Sequence, residues 1–249
     1  MDIEKTNTLT LSVLEEAPAY HQWIFDKMRP WLGGAVLEVG CGVGNLTGLL
    51  LRNGKVIASD VNEEYLQIVE NKFGDHPNLK TVSLWDIRRP PPQPLDTTID
   101  SIVCSNVLEH IEDDEKTLGH FHQILPRGGR LILLVPALKW LYNLLDQELG
   151  HIRRYNKEEL RQKLEAQGFM LRQITFMNGL GVFGWFFNGV ILRRRLLPVR
   201  QVRIFNRMVP FFIQMEKIIP TVVGQSLIAI GEKGWGEKIE TDDHHSCFQ

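Results

Sequence analysis

Cysteine is scarce in this 249-residue sequence: only Cys41, Cys104 and Cys247 occur. Three widely spaced thiols supply neither a disulfide framework nor a cysteine-based zinc cluster, and a reducing compartment is the expectation. An excess of charge is also missing. With 28 basic and 30 acidic residues the net is −2, which excludes a chain held to nucleic acid by its overall charge. No apolar run approaches the roughly 20 residues that cross a bilayer. The most apolar stretch, 180–192 (LGVFGWFFNGVIL), is cut off by Arg193, Arg194 and Arg195, so it can touch a membrane but not span one. Residues 1–18 carry Asp2, Glu4, Glu15 and Glu16 and lack the continuous apolar core of a secretory signal. The expected location is cytoplasmic, with peripheral attachment at the inner membrane surface left open. What is present is ordinary globular material, 43% hydrophobic and 23% charged, and α/β folds of this length often form one domain.

Residues 20–31 place Trp23, Ile24, Phe25, Met28 and Trp31 on a helical stripe that stops before Gly33-Gly34, and 1–34 is expected to form an N-terminal helical lid. From residue 35 strand and helix patterns alternate. Runs dense in Val, Ile and Leu at 35–39 (AVLEV), 55–59 (KVIAS), 79–84 (LKTVSL), 99–105 (IDSIVCS) and 130–135 (RLILLV) read as buried strands. Helical patterns at 45–51, 63–73 and 113–125 lie between them. Such alternation implies right-handed crossovers and a parallel sheet covered by helices on both faces. Further on, 138–149 looks helical, and Asn156 with Glu159 three residues later predicts a capping box, opening a helix that Gly168 stops. Strands follow at 169–176 and 226–231 (SLIAIG), the first closing a core domain over 35–176. The roughly 50 residues between them far exceed a hairpin loop of 2–5. Residues 177–225 are therefore expected to be a structured insertion before the last strand: a helical cap over the acceptor first, with a membrane-contact segment or a dimer interface as the other readings. Between Arg193 and Lys217 it carries seven basic residues against Glu216 alone. The Pro90, Pro91, Pro92 run with Pro94 reads as a stiff connector, and 232–249, without apolar period, as a mobile tail.

The chemistry concentrates in 36–47, VLEVGCGVGNLT, where an apolar strand ends near Glu38, passes through Gly40, Gly42 and Gly44 and opens a helix. Glycines let a ligand approach the backbone, and a helix start presents unpaired N–H groups. This is the pattern of a site for a nucleoside-bearing ligand. The dinucleotide spacing G-x-G-x-x-G is not met, because the third glycine comes one residue early and Asn45 stands where a glycine belongs. Glu38 also puts negative charge where a pyrophosphate would sit. S-adenosyl-L-methionine has no phosphate and carries a sulfonium and an ammonium, which an acid suits. Asp60, ending the next strand, is placed to accept ribose hydroxyls, a role it would fill equally for NAD. Asp86, in LWDI, is placed for an adenine amine, with Ile87 against the ring.

Taken in order, VLEVGCGVGNLT (36–47), VIASD (56–60), LWDI (84–87), SNVLEHI (105–111) and LPRGGRLILLVPA (125–137) resemble the class I S-adenosylmethionine-dependent methyltransferases, especially those with a type 11 methyltransferase domain. The resemblance covers about residues 20–175. It implies a Rossmann-like α/β fold with a seven-stranded, mostly parallel sheet of order 3-2-1-4-5-7-6, S-adenosyl-L-methionine as cofactor and S-adenosyl-L-homocysteine as product. Carried onto this sequence, it implies a cofactor site of Glu38, Gly40, Cys41, Gly42, Gly44, Asp60, Val61, Asp86, Ile87 and Asn106, the last through its backbone. HIRRYN (151–156) and VGQSLIAIG (223–231) are similar to a bacterial subgroup associated with glycosyltransferases and cell-envelope synthesis.

Methyl transfer from a sulfonium is an in-line displacement, and the catalyst aligns acceptor and methyl carbon away from water. A hydroxyl acceptor must also lose a proton, a task suited to histidine. His110, His151 and Tyr155 are the catalytic candidates, although the simpler reading of His110 is that it packs on or caps the next helix. Arg153 and Arg154 can meet an acceptor carboxylate or phosphate through paired bonds, or form surface salt bridges. Tyr20, the third acceptor-binding candidate, can close over the ligand or simply pack. Glu112, Asp113, Asp114 and Glu115 suit the N-terminal dipole of the helix they open, and Cys41 and Cys104 suit the core. No metal is expected, as His120 and His122 point to different sides of their helix. The expected acceptor is a small or lipid-linked molecule and not nucleic acid, because no basic aromatic platform accompanies the arginines. A cofactor-binding scaffold without turnover and a nicotinamide oxidoreductase are the competing readings, and the oligomeric state is left open.

Overall fold

The computed structural model describes residues 3–91, 98–218 and 221–234. Two helices, α1 (Ile3–Glu15) and α2 (Pro18–Met28), precede β1 (Ala35–Val39). Then follow α3 (Thr47–Leu50), β2 (Lys55–Asp60), α4 (Glu63–Phe73), β3 (Leu79–Leu84), β4 (Ser101–Ser105), α5 (Asp114–Ile124) and β5 (Arg130–Pro136). The second half adds α6 (Leu144–Glu148), α7 (Lys157–Ala166), β6 (Phe169–Met177), α8 (Gly181–Phe186), α9 (Val199–Ile218) and β7 (Ser226–Lys233). The strands form one sheet in the order β3-β2-β1-β4-β5-β7-β6. β1 pairs in parallel with β2 and β4, and β7 lies antiparallel between β5 and β6. This is the order that the family resemblance implies.

Successive strand side chains point to opposite faces, and the core divides accordingly. On one face Leu37, Val39, Ile102, Cys104, Leu131, Leu133 and Val135 pack with Leu118 and Phe121 of α5 and Leu160 and Leu164 of α7. On the other, Val36, Val103, Ile132 and Leu134 meet Trp23, Phe25 and Met28 of α2 and Val209 and Phe212 of α9. Both faces are thus buried, which is why the strands read as continuous apolar runs. Cys41 and Cys104 are buried, as expected of core thiols.

Several elements differ from the sequence reading. The segment 138–149 is not one helix. Leu138 adopts φ +65 and Asn143 caps α6 through a capping box with Asp146, so only a short turn (Lys139–Leu141) and α6 form. The strained Leu138 is held by its N–H to the Tyr155 carbonyl at 3.0 Å, beside the Ala137–Tyr155 bridge. Asn156 accepts the Glu159 N–H at 2.8 Å, but the Glu159 carboxylate pairs with Lys139 at 2.8 Å, leaving the expected reciprocal half of that capping box unmade. β7 continues to Lys233, past the expected end of the last strand. Residues 235–249 of the expected tail, and Pro92 and Pro94 of the connector, lie outside the described residues.

The insertion between β6 and β7 is helical. It comprises α8, a π-helical turn (Phe187–Ile191) and the 20-residue α9. α9 reaches back to the start of the chain. Arg203 forks onto Glu16 at 2.9 and 3.0 Å, and the Asn206 side chain accepts the N–H groups of Ala19 and Tyr20 at 2.8 and 3.2 Å. Ala17, the N-cap of α2, has no side-chain acceptor of its own, so the insertion supplies one. Among the described residues no helix is long and apolar enough to cross a membrane.

Candidate active site

The carboxyl ends of β1 to β5 and the start of β7 open into a single cavity of about 1200 Å³, roofed by α1, α2, α8 and α9. The crevice beyond strand carboxyl ends is where ligands sit in open α/β sheets. Because the sheet order runs from β3 on one side to β7 and β6 on the other, the cavity has two chemically different ends.

At the first end the β1–α3 loop supplies Glu38, Gly40, Cys41 and Gly42. Gly40 takes φ +72, and a Cβ there would lie 2.2 Å from Val107. Any other residue would therefore be strained and would force β4's following loop away. The Gly42 N–H donates to Asp60 Oδ2 at 2.9 Å, and the Asn62 N–H to Asp60 Oδ1 at 3.0 Å. These bonds tie the loop to the end of β2 and offset the rise that burial imposes on the Asp60 carboxyl. Glu38 is buried, with Oε2 accepting from the Thr47 hydroxyl at 2.7 Å. Burial pushes its carboxyl up to about 8, against the Thr47 bond and aided by Asp60. Val61, Asp86, Ile87 and Asn106 also line this end. The Arg88 guanidinium forks onto Asp86 at 2.8 Å and holds it below the usual carboxylate range. Gly44 is the exception: it turns the loop against Phe73 at φ +86 and stands outside the lining. Leu11 of α1 packs beside Gly42, a cover that the sequence reading assigned to the N-terminal segment only in general terms.

The second end gathers His110, His151, Arg154, Trp185, Asn178 and Gln225, with Tyr20 reaching in from α2. Ser226 and Asn178 hydrogen-bond to the Tyr20 phenol. Asp146, unnoticed in the sequence, organises this end. It accepts from His151 Nδ1 (3.0 Å), Arg154 Nε (2.8 Å), Trp185 Nε1 (3.1 Å) and the Asn143 N–H (3.0 Å). Arg154 is thus a buried wall residue, also stacked over Trp185 at 5.1 Å. His110 sits 4.9 Å edge-on from His151, and burial lowers it to about 4, with His151 adding to the effect.

Two candidates leave the site. Tyr155 is fully buried outside the lining, its phenol donating to Asp114 Oδ2 at 2.8 Å. Burial and that carboxylate raise its pKa, the opposite of what a base needs. Arg153 likewise lies outside the lining and pairs with Asp114 at 2.9 Å. Asp114 therefore anchors Tyr155, Arg153 and Lys163 in addition to opening α5, while Asp113 is that helix's cap.

A family model described as a methyltransferase domain matches residues 19–174. The chain belongs to that methyltransferase-domain family. It is 24% identical over 160 residues to malonyl-[acyl-carrier protein] O-methyltransferase 1 of Ilyobacter polytropus, covering 59% of this chain and 58% of that one. It is 31% identical over 124 residues to the ubiquinone/menaquinone biosynthesis C-methyltransferase of Proteus mirabilis, covering 47% and 49%. The chain spans about half the length of the curated relatives it matches. Among solved structures, the magnesium protoporphyrin IX methyltransferase of Synechocystis PCC 6803 with bound SAM superposes with a TM-score of 0.53 at 19% identity, over 87% of this chain and 80% of that one. That likeness is one of fold. The methyltransferase-domain match ends at residue 174, so the insertion of α8 and α9 lies outside it.

Proposed function

We propose that the chain is an S-adenosylmethionine-dependent methyltransferase acting on oxygen of a small or lipid-linked hydrophobic acceptor. The observation that carries this reading is the single two-ended cavity, acidic at the glycine loop and imidazole-lined and apolar beneath the insertion. The donor set fits the cofactor. Glu38 and Asp60 meet no basic side chain in the bonds described above, and Arg88, which lines the cavity beside Asp86, is engaged by that carboxylate. Such a surface favours a sulfonium and an ammonium over a pyrophosphate.

When bound, S-adenosylmethionine supplies a methyl carbon activated by the positive sulfur. Asp60 accepts the N–H groups of Gly42, Asn62 and Val61, which still leaves an acceptor lone pair for a ribose hydroxyl. Asp86 and Ile87 fit the base, and Glu38 with the Gly40–Gly42 backbone fits the amino-acid portion. His151, oriented through Nδ1 by Asp146, and His110 present the groups able to receive an acceptor proton. Leu145, Leu149, Trp185, Leu197 and Phe205 exclude water around them. The insertion supports a lipid-linked acceptor: Phe183, Phe187, Ile191 and Phe211 are each more than half exposed, beside Arg193, Arg194, Arg195, Arg200 and Arg207. Aromatic residues flanked by arginines suit contact with anionic head groups.

Calorimetric titration with S-adenosyl-L-homocysteine and, separately, NAD tests the cofactor assignment. Saturable binding of the first is expected, weakened in Asp60→Ala by about 1–3 kcal/mol through lost hydrogen bonds to a charged acceptor. NAD binding alone, or unchanged affinity in the variant, contradicts it. Release of S-adenosyl-L-homocysteine with hydroxylated lipid acceptors separates turnover from a silent scaffold.

A further inference from the structure

Three side chains meet at the acceptor end in an arrangement that methyl transfer does not by itself require. Glu109 is fully buried, and neither carboxylate oxygen has a hydrogen-bond partner. Leaving a buried carboxylate without donors is costly. Its closest approach to His151 is Oε1 to Nε2 at 3.8 Å, too long for a hydrogen bond. The two neighbouring histidines are arranged alike. His151 Nδ1 is 3.0 Å from Asp146 Oδ1 and His110 Nδ1 is 3.2 Å from the Gly150 carbonyl. Both partners are acceptors, so Nδ1 is the donor atom of each ring and Nε2 is the atom left to meet an ion. One ligand atom from each of Glu109, His110 and His151 lies within 4.8 Å of the others.

A metal-bound histidine characteristically donates its second ring N–H to a carboxylate or a backbone carbonyl, which fixes tautomer and orientation. Here one histidine does each. We propose that Glu109, His110 and His151 hold a first-row divalent transition-metal ion at the acceptor end of the cavity. Two imidazole nitrogens and one carboxylate oxygen suit zinc and its neighbours, whereas magnesium and calcium prefer oxygen alone. Metal bonds of about 2.0–2.2 Å require the three ligand atoms to close up by about 1 Å. Three protein ligands leave a position open towards the cavity, the arrangement of catalytic rather than structural zinc, and an acceptor oxygen fits it. Only the identity of that acceptor atom rests on the reading above; with the ion in place both Nε2 atoms are occupied, so His110 and His151 then act as ligands and not as proton acceptors.

Calorimetric titration of the chelator-treated full chain with zinc chloride is expected to show one saturable site per chain, and cobalt chloride to give visible absorption from the bound ion. Glu109→Gln and His151→Ala are expected to bind zinc at least about 100-fold more weakly, since even outer partners are worth about 10–100-fold. His122→Ala, whose ring packs on Phe169 away from the cavity, is expected to bind as wild type. Where Glu109→Gln fails to fold, His110→Ala provides the same comparison. Absence of saturable zinc binding by the wild-type chain overturns the proposal, as does wild-type affinity in the ligand variants. Titration with S-adenosyl-L-homocysteine in parallel keeps the readings apart: its retained binding without zinc binding removes the ion alone.

Discussion

Glu38 sits 3% exposed at the end of β1, and its carboxyl, pushed up to about 8 from an ordinary 4.5, makes stability depend on pH. In the unfolded chain it ionises near 4.5, while the native state keeps its proton until about 8. Its contribution is therefore fully present below about pH 4.5 and is lost as pH rises through 8, an effect on the order of several kcal/mol. Glu109, raised to about 7 by burial, adds in the same direction. Between pH 6.5 and 8, above the range in which the depressed His21 and His110 act in the opposite sense, thermal melts are expected to fall for the wild type and to fall less steeply for Glu38→Gln; parallel curves contradict the assignment. A cationic ligand beside Glu38 draws the proton off, so its binding is expected to strengthen as pH approaches 8. The carboxylates of this end were legible in the sequence because each closes a strand that its Val and Ile content had already marked. Glu109 and Asp146 were not, because their partners lie in other segments: Asp146 meets Trp185, and Glu109 faces His151. Arg153 and Tyr155 were misplaced because the backbone bridge at Ala137–Tyr155 turns them towards Asp114.

At the level of elements, the cap on α2 is borrowed. Removing the Asn206 side-chain acceptor frees the Ala19 N–H, while the Tyr20 N–H keeps its bond to the Ala17 carbonyl, at a cost of about 1 kcal/mol. Asn206→Ala is expected to lower the melting temperature by roughly 2–4 °C, and Asn206→Asp to retain most of it; an unchanged melt for the alanine variant contradicts the cap. The strands were readable to within about two residues, because burial on both faces leaves little room for polar residues. The helices of the second half were less so. The break at Leu138 depends on a left-handed backbone residue whose stabilising contact comes from Tyr155, and no local propensity announces it. α1 was expected only as part of a lid, since its role, with Leu11 against Gly42, depends on a loop distant in sequence.

For the whole molecule, the insertion turns aromatic side chains outwards next to arginines. The full chain is expected to sediment with anionic vesicles at low salt and to be released as salt screens the arginines. With each buried Phe contributing about 2 kcal/mol, Phe183→Ser combined with Phe187→Ser is expected to reduce partitioning on the order of 10-fold or more. Equal sedimentation of the double variant removes the membrane from the account. The latch between α9 and the first helices carries a separate consequence for biosynthesis. Arg203 and Asn206 leave the ribosome long after Glu16, Ala19 and Tyr20, so the leading segment of a nascent chain waits, uncapped and unfastened, through most of translation. Vectorial synthesis thus makes the roof over the glycine loop among the last parts to be secured, and a chain truncated before residue 203 lacks the means to secure it.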